Sequence, residues 1–297
     1  MNNVPYLNTE QYRKRLMQRQ RTGKIFEYLC ILSIIIGITM LGLLLWYVAD
    51  QGLNRLTWSF LTNFPSRFPD RAGIFGALLG TCYVIGIAGI IAFTLGVGTA
   101  IYLEEYARDT KVSRILQVNI ANLAGVPSIV YGILGLEIFV RFAGLGRSVL
   151  AGALTIALLI LPIVIIASQE AIKAVPPSIR EGGFALGASK WQVVSLLVIP
   201  QAFAGILTGV ILAVSRAIGE TAPLIVMGAL TFVPFAPDGL MSPFTVLPIQ
   251  IFNWVSRPQE GFHEIAAAGI IVLLITLILM NSLALFLRNK FTNKMDR

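Results

Sequence analysis

Six stretches of this 297-residue chain are apolar for too long to be anything but buried or lipid-facing. They cover residues 25–49, 73–103, 115–142, 148–168, 201–230 and 265–287. A helix of about 20 apolar residues crosses a hydrocarbon layer of about 30 Å, and each stretch reaches that length. With 56% hydrophobic residues and only 13% charged, a soluble domain of this size has nowhere to hide its apolar surface. The fold class read from the sequence is an all-α polytopic membrane protein with six transmembrane helices.

The remaining composition removes several kinds of chemistry. Cys30 and Cys82 both fall within expected spans, so they form no disulfide framework and no metal-ligand spacing. His263 is the only histidine, which leaves little room for a metal site or a histidine-based catalytic set. The net charge of +8 does not point to nucleic acid, because the basic residues sit beside the spans, where membrane orientation explains them. The first apolar run follows a hydrophilic segment and lacks a small-residue cleavage site, so an uncleaved first helix is expected.

The chain divides on these grounds into a basic arm (1–24), a first transmembrane helix (25–49) and a core of five helices (73–287), with a basic tail at 288–297. Within the core lie a polar loop at 171–200 and a loop at 232–262 on the opposite side. The arm, the loop after the second span, the 171–200 loop and the tail carry sixteen of the 23 Lys/Arg, and the other side carries six. The positive-inside rule then places both termini and 171–200 in the cytoplasm. In the second span, Gly76 and Gly80 form a small-xxx-small pair that lets a neighbouring helix come close.

Two places carry chemistry. Residues 180–200 read REGGFALGASKWQVVSLLVIP. Their composition predicts a helix, a small-residue bend near Gly187 and Ala188, and a second helix carrying Trp191. Gly182, Gly183, Gly187 and Ala188 offer little bulk, so a partner's surface can approach closely. Inside the fifth span, Arg216 and Glu220 are four residues apart and share a helix face, with the hydroxyls of Ser215 and Thr221 beside them. An arginine at the bilayer centre costs roughly 2.5–3.5 kcal/mol on insertion scales, so something must offset it. The pair is either structural glue or an anion path in which Arg216 attracts and Glu220 accepts a hydrogen bond. Glu137 and Arg141 repeat the spacing nearer the outer surface, where a structural pair is expected. Pro223 frees backbone carbonyls just past the Arg216–Glu220 pair.

Glu181, Gly187 and Pro200 stand at the first, seventh and twentieth places of a pattern that resembles the cytoplasmic coupling loop of ABC-transporter permeases. Gly182 and Gly183 replace the usual two alanines. Further blocks extend the likeness: YLEEYA at 102–107, NIANLAGVPSIVYG at 119–132, SRAIGETAPL at 215–224 and NWVSRPQEGFHEIAAAG at 253–269. Together they resemble the phosphate ABC-transporter permeases of the PstA type. That resemblance implies a type I importer fold and a multi-pass place in the bacterial cytoplasmic (inner) membrane. It implies a sister permease of PstC type, a cytoplasmic ATPase dimer of PstB type and an external phosphate-binding protein of PstS type. It also implies that Arg180, Glu181, Gly182, Gly183, Gly187, Ala188 and Trp191 serve ATPase coupling and that Arg216 and Glu220 line the phosphate pathway. No cofactor is expected on this chain, ATP and Mg being used by the partner ATPase. The chain itself contains no G-x-x-x-x-G-K-[ST] phosphate-binding loop. An importer of another oxyanion, sulfate or molybdate, shares this architecture, and an ion-coupled secondary transporter remains a further alternative.

Overall fold

The structure is a computed structural model and describes residues 9–229 and 232–295. The first eight residues of the basic arm, the last residue expected in the fifth span and the last two of the tail lie outside the described residues. Nearly everything described is helical. The chain resolves into two compact units, 1–50 and 51–297.

The described residues of the first unit, 9–50, all belong to one helix, α1 (Thr9–Gly52), in which the described part of the basic arm and the first span run together without a break. The second unit begins with a short helix, α2 (Trp58–Thr62), and continues into the long α3 (Phe75–Ile101). It then forms α4 (Lys111–Ala124), α5 (Ser128–Gly135) and the central α6 (Val149–Lys173). Two short helices, α7 (Pro177–Ala185) and α8 (Lys190–Val193), lead into α9 (Ile199–Ile218) and α10 (Ala222–Met227). The last elements are α11 (Leu247–Val255) and α12 (Glu260–Met295). Five helical stretches are long and apolar enough to cross a membrane, and the bent α4–α5 pair makes a sixth if counted as one span.

Around α6 the core is built, because its small and β-branched residues let neighbours reach it from every side. Ala153, Ile156, Ala157, Ile160 and Val164 are all buried. A Cβ added at Gly96 of α3 would lie 2.7 Å from Val164, and one at Gly209 of α9 would lie 2.4 Å from the Ala167 side chain. Glycine is required at both positions to hold α3 and α9 this close.

Two expected spans are broken. The third turns by 102° between α4 and α5, at Gly125–Pro127. Proline disfavours a helical conformation in the residue before it, and the Tyr131 hydroxyl donates to the Leu123 carbonyl at 2.8 Å, pinning the bend. The fifth, expected as continuous over 201–230, stops at Ile218 and restarts at Ala222. Pro223 accounts for this: its ring would clash with the carbonyl four residues earlier, which belongs to Gly219.

The loop after α10 folds back into the helices. Phe244, Thr245, Val246 and Leu247 are buried. The Thr245 carbonyl occupies the notch at Gly80, where an added Cβ would sit 2.1 Å from its oxygen, and the Phe235 carbonyl lies over Gly76. The close approach expected at Gly76 and Gly80 is therefore used by a returning loop rather than by a helix. The Leu247 N–H donates to the buried Thr81 hydroxyl at 2.9 Å, and Phe244 fills the space that glycine leaves at Gly152.

Replacing Gly80 by alanine should lower stability by about 1–3 kcal/mol, the usual cost of overpacking. Gly86→Ala on the same helix meets nothing within 4 Å and should change little. Thermal unfolding of the detergent-solubilised variants separates the two expectations.

Candidate functional site

Arg216 and Glu220 lie at the end of α9 and in the break that follows it. Helix α9 runs antiparallel to α6, with Gly205 against Ala171 and Gly209 against Ala167. With a rise of 1.5 Å per residue, Arg216 lies about 10 Å and Glu220 about 16 Å above the Ala167 level. On the same scale the far end of α6, Val149, lies about 27 Å above it. Arg216 thus sits near the middle of the helical layer, with Glu220 about one turn further along.

The Arg216 Nε donates to Glu220 Oε1 at 3.3 Å, a long contact for an ion pair. Its side chain is 57% exposed while that of Glu220 is 18% exposed. Among the described residues the two Nη groups of Arg216 have no partner. A planar guanidinium therefore presents free N–H donors on an open face, with a carboxylate held behind it.

The neighbouring hydroxyls are committed elsewhere. Ser215 donates to the Ile211 carbonyl at 2.7 Å and meets the Asn281 side chain, which ties α9 to α12. Thr221 contacts the Gly219 carbonyl at 3.4 Å. Asn281 was not picked out from sequence, although it is a polar residue inside the sixth apolar run. The break places Pro223 directly on α5: a Cβ at Gly132 would come within 2.7 Å of the Pro223 backbone. Both interrupted spans therefore pack against each other beside the Arg216–Glu220 pair. Glu137 and Arg141 form an exposed ion pair in the wide helical turn Leu136–Phe142.

The second candidate region, 171–200, forms a helix, a turn and a second helix. Gly187 takes φ +79°, the left-handed conformation that closes α7, and nothing lies within 4 Å of where its Cβ would be. Ser189 and Gln192 then form a capping box that starts α8. The glycines serve different purposes. Gly183 is buried, and its Cβ would lie 2.8 Å from Leu197, so it closes α7 onto the wide turn Val194–Val198. Gly182 is open and exposed. Arg180 points inward, whereas Glu181 is exposed and makes no ion pair among the described residues.

Phe184, Leu186, Trp191 and Leu196 stand out of this segment, Leu186 being 90% and Trp191 66% exposed. Gly183, Leu186, Gly187, Ala188, Gln192, Leu196 and Leu197 line a shallow depression of about 390 Å³ between the two helices. An apolar cluster rimmed by polar residues is a surface that expects a partner.

The family model for "Binding-protein-dependent transport system inner membrane component" matches residues 92–297. The chain is 31% identical to a probable ABC transporter permease protein, YqgI, of Bacillus subtilis, over 94% of this chain and 99% of that one. It is 31% identical to the phosphate transport system permease protein PstA 1 of Mycobacterium tuberculosis, over 89% of this chain and 88% of the relative. The Haemophilus influenzae phosphate transport system permease protein PstA is 30% identical over 94% of this chain and 97% of its own length. Among solved structures, a bacterial ABC transporter involved in alginate import superposes with a TM-score of 0.64 at 15% identity, covering 94% of this chain and 99% of that chain. A chain of the MetNI methionine transporter in an inward-facing conformation gives 0.57 at 15% identity, covering 74% and 95%. These structural likenesses concern the fold.

The turn at Gly187 yields a conformational prediction. Gly187→Ala should cost about 1–2 kcal/mol, because a Cβ is strained at this φ whatever the space around it. Gly187→Asn should cost less, and Gly182→Ala, in the open interior of α7, should stabilise by up to about 1 kcal/mol. Thermal unfolding of the three variants reads the order directly.

Proposed function

Because the chain belongs to the family of binding-protein-dependent transport system inner membrane components, we propose that it is one membrane-spanning subunit of an ATP-driven importer of inorganic phosphate. Its proposed partners are a sister permease of PstC type, a cytoplasmic ATPase dimer of PstB type and an external phosphate-binding protein of PstS type. Both termini and 171–200 face the cytoplasm in this reading, in accord with the excess of Lys/Arg on that side. ATP and Mg are used by the partner ATPase, and this chain binds no cofactor.

The observation that carries the substrate reading is the uncovered guanidinium of Arg216 in the middle of the helical layer. Such a group is not left facing lipid. It lines a path shared with the sister permease, where an anion meets its free Nη donors. Near neutral pH phosphate keeps at least one O–H, whereas sulfate has none. Glu220 accepts a hydrogen bond from that O–H and repels an oxyanion that lacks it. The naming of curated relatives as phosphate permeases supports the same substrate.

On the cytoplasmic side, Leu186, Trp191 and the depression around Gly187 receive the ATPase, with Glu181 exposed to pair across the contact. On the outer side, most of the 232–262 loop is a plug over the helices, and its exposed tip at Asp238, Leu240 and Met241 meets the binding protein.

The test uses ATP-driven flux through the assembled transporter, in a background that no longer needs the binding protein. Arg216→Ala should abolish phosphate transport. Arg216→Lys should recover only a small part of it, because the planar fork is lost. Glu220→Gln should retain phosphate transport and raise the sulfate-to-phosphate ratio by about tenfold, equivalent to about 1.4 kcal/mol. An unchanged ratio would return the pair to a structural role.

A further inference from the structure

The cytoplasmic end of α3 continues into a wide helical turn, Tyr102–Tyr106, closed by the Ala107 N–H on the Tyr102 carbonyl at 2.8 Å. Successive helical side chains point roughly 100° apart, so three in a row can address three different neighbours. Glu104, Glu105 and Tyr106 do so. Glu104 accepts from the Gln169 side chain at 2.8 Å and lies 3.5 Å from Lys173 Nζ, both near the end of α6. Glu105 takes Nε and Nη2 of Arg180, on α7, at 3.1 and 2.8 Å. The ammonium of Lys190, on α8, stands 5.3 Å from the centre of the Tyr106 ring.

Arg180 completes the arrangement. Beyond Glu105, its Nη1 donates to the Val175 carbonyl at 2.7 Å and its Nη2 to the Ile172 carbonyl at 2.9 Å. These carbonyls belong to the end of α6 and the residues just after it, and that of Ile172 also accepts the Val175 N–H at 3.2 Å. One guanidinium thereby binds three elements together, and the pair is well covered, with Arg180 22% and Glu105 10% exposed. A lysine has neither the fork nor the number of donors to repeat this.

We propose that Glu104, Glu105 and Tyr106 form the joint through which α7 and α8 move the second and fourth spans as one body, with Arg180 as its pin. Arg180 is thus a positioning residue that acts through Glu105, and its side chain is not a contact for the ATPase. The proposal rests on the reading of 171–200 as the ATPase-facing segment. A push on α7 or α8 from below meets a charge-assisted, multiply bonded contact at the base of α3, where a flexible linker would absorb the displacement.

The experiment uses the complete assembly, this chain with its sister permease, ATPase and binding protein, reconstituted in liposomes with inorganic phosphate as the probe. Two quantities are read: ATPase retained per complex, and ATP hydrolysed per phosphate carried. Glu105→Gln and Arg180→Lys should each leave ATPase retention at the wild-type level and raise ATP per phosphate by about fivefold, the scale of one weakened charge-assisted bond. The double variant should be no worse than the more severe single one, since both remove the same contact. Tyr106→Leu, which touches only the outer Lys190 contact, should raise the ratio by about twofold and keeps the test open if an Arg180 variant does not assemble. Wild-type ratios in Glu105→Gln and Tyr106→Leu would overturn the joint. So would loss of ATPase in Arg180→Lys alone, which would make Arg180 a direct contact. A wild-type assembly that retains ATPase but carries no phosphate would overturn the substrate and leave the joint to be read with the true cargo. One that retains no ATPase would overturn the importer reading and the joint with it.

Discussion

In hydrocarbon a backbone N–H or C=O has no water to bond, so a helix can be interrupted there only where protein or a lined cavity covers the break. This chain interrupts two of its spans, at Gly125–Pro127 and at Gly219–Thr221, and packs the halves that follow against each other. Helix α5 offers Gly132 and α10 lays the Pro223 backbone on it, closer than any side chain would permit. The break in α9–α10 is also where Glu220 sits, with Arg216 one turn below it. Irregular backbone, an ion pair and a close glycine contact therefore coincide. The rest of the second unit, above all the buried α6, packs around that place.

Close approach is obtained repeatedly by one device, a residue with no side chain facing a backbone or a bulky group. Gly80 receives the Thr245 carbonyl, Gly152 the Phe244 ring, Gly96 the Val164 side chain and Gly209 the Ala167 methyl. Lipid supplies no hydrophobic drive to bring apolar helices together, so packing of this kind and a few polar ties must do so. The polar ties among the described residues include Thr81 to Leu247, Ser215 to Asn281, Arg288 to Thr208, Arg55 to Glu264, and the cluster around Glu104 and Glu105.

How much of this the sequence disclosed depends on whether the signal was local. The apolar runs, the turn at Gly187 and the i,i+4 spacing of Arg216 and Glu220 are all encoded within a few residues, and each could be read directly. The fifth run could not be divided from its composition, because residues 222–229 remain as apolar as those before them. Only the relation of Pro223 to the carbonyl of Gly219 stops the helix. The bend at Pro127 has no angle written in the sequence, since the 102° turn depends on what α4 and α5 pack against and on the Tyr131 bond. The partners of Glu104 and Glu105 lie 65 to 75 residues away, beyond any local pattern. For the same reason the inward aim of Arg180 was hidden: in sequence it sits beside Glu181, and only the fold sends the two in opposite directions.

Helix α3 connects these regions. From Gly80, which holds the returning 232–262 loop, to Glu105, which holds α7, the chain is helical for about 37 Å at 1.5 Å per residue. Nothing along it resembles the breaks in the third and fifth spans: proline is absent between Phe75 and Tyr106, and the wide turn comes only at its base. An unbroken helix transmits an axial displacement, whereas a span with a 102° turn converts it into a swing. The chain thus holds both kinds of element around α6: an unbroken helix tied at one end to the 232–262 loop and at the other to α7, and two broken spans, of which the fifth bears the charged pair. In the joint proposed above, a displacement at Arg180 would be passed along α3 to the 232–262 loop. The two broken spans, packed on each other through Gly132 and Pro223, hold the setting of Arg216 and Glu220 between them.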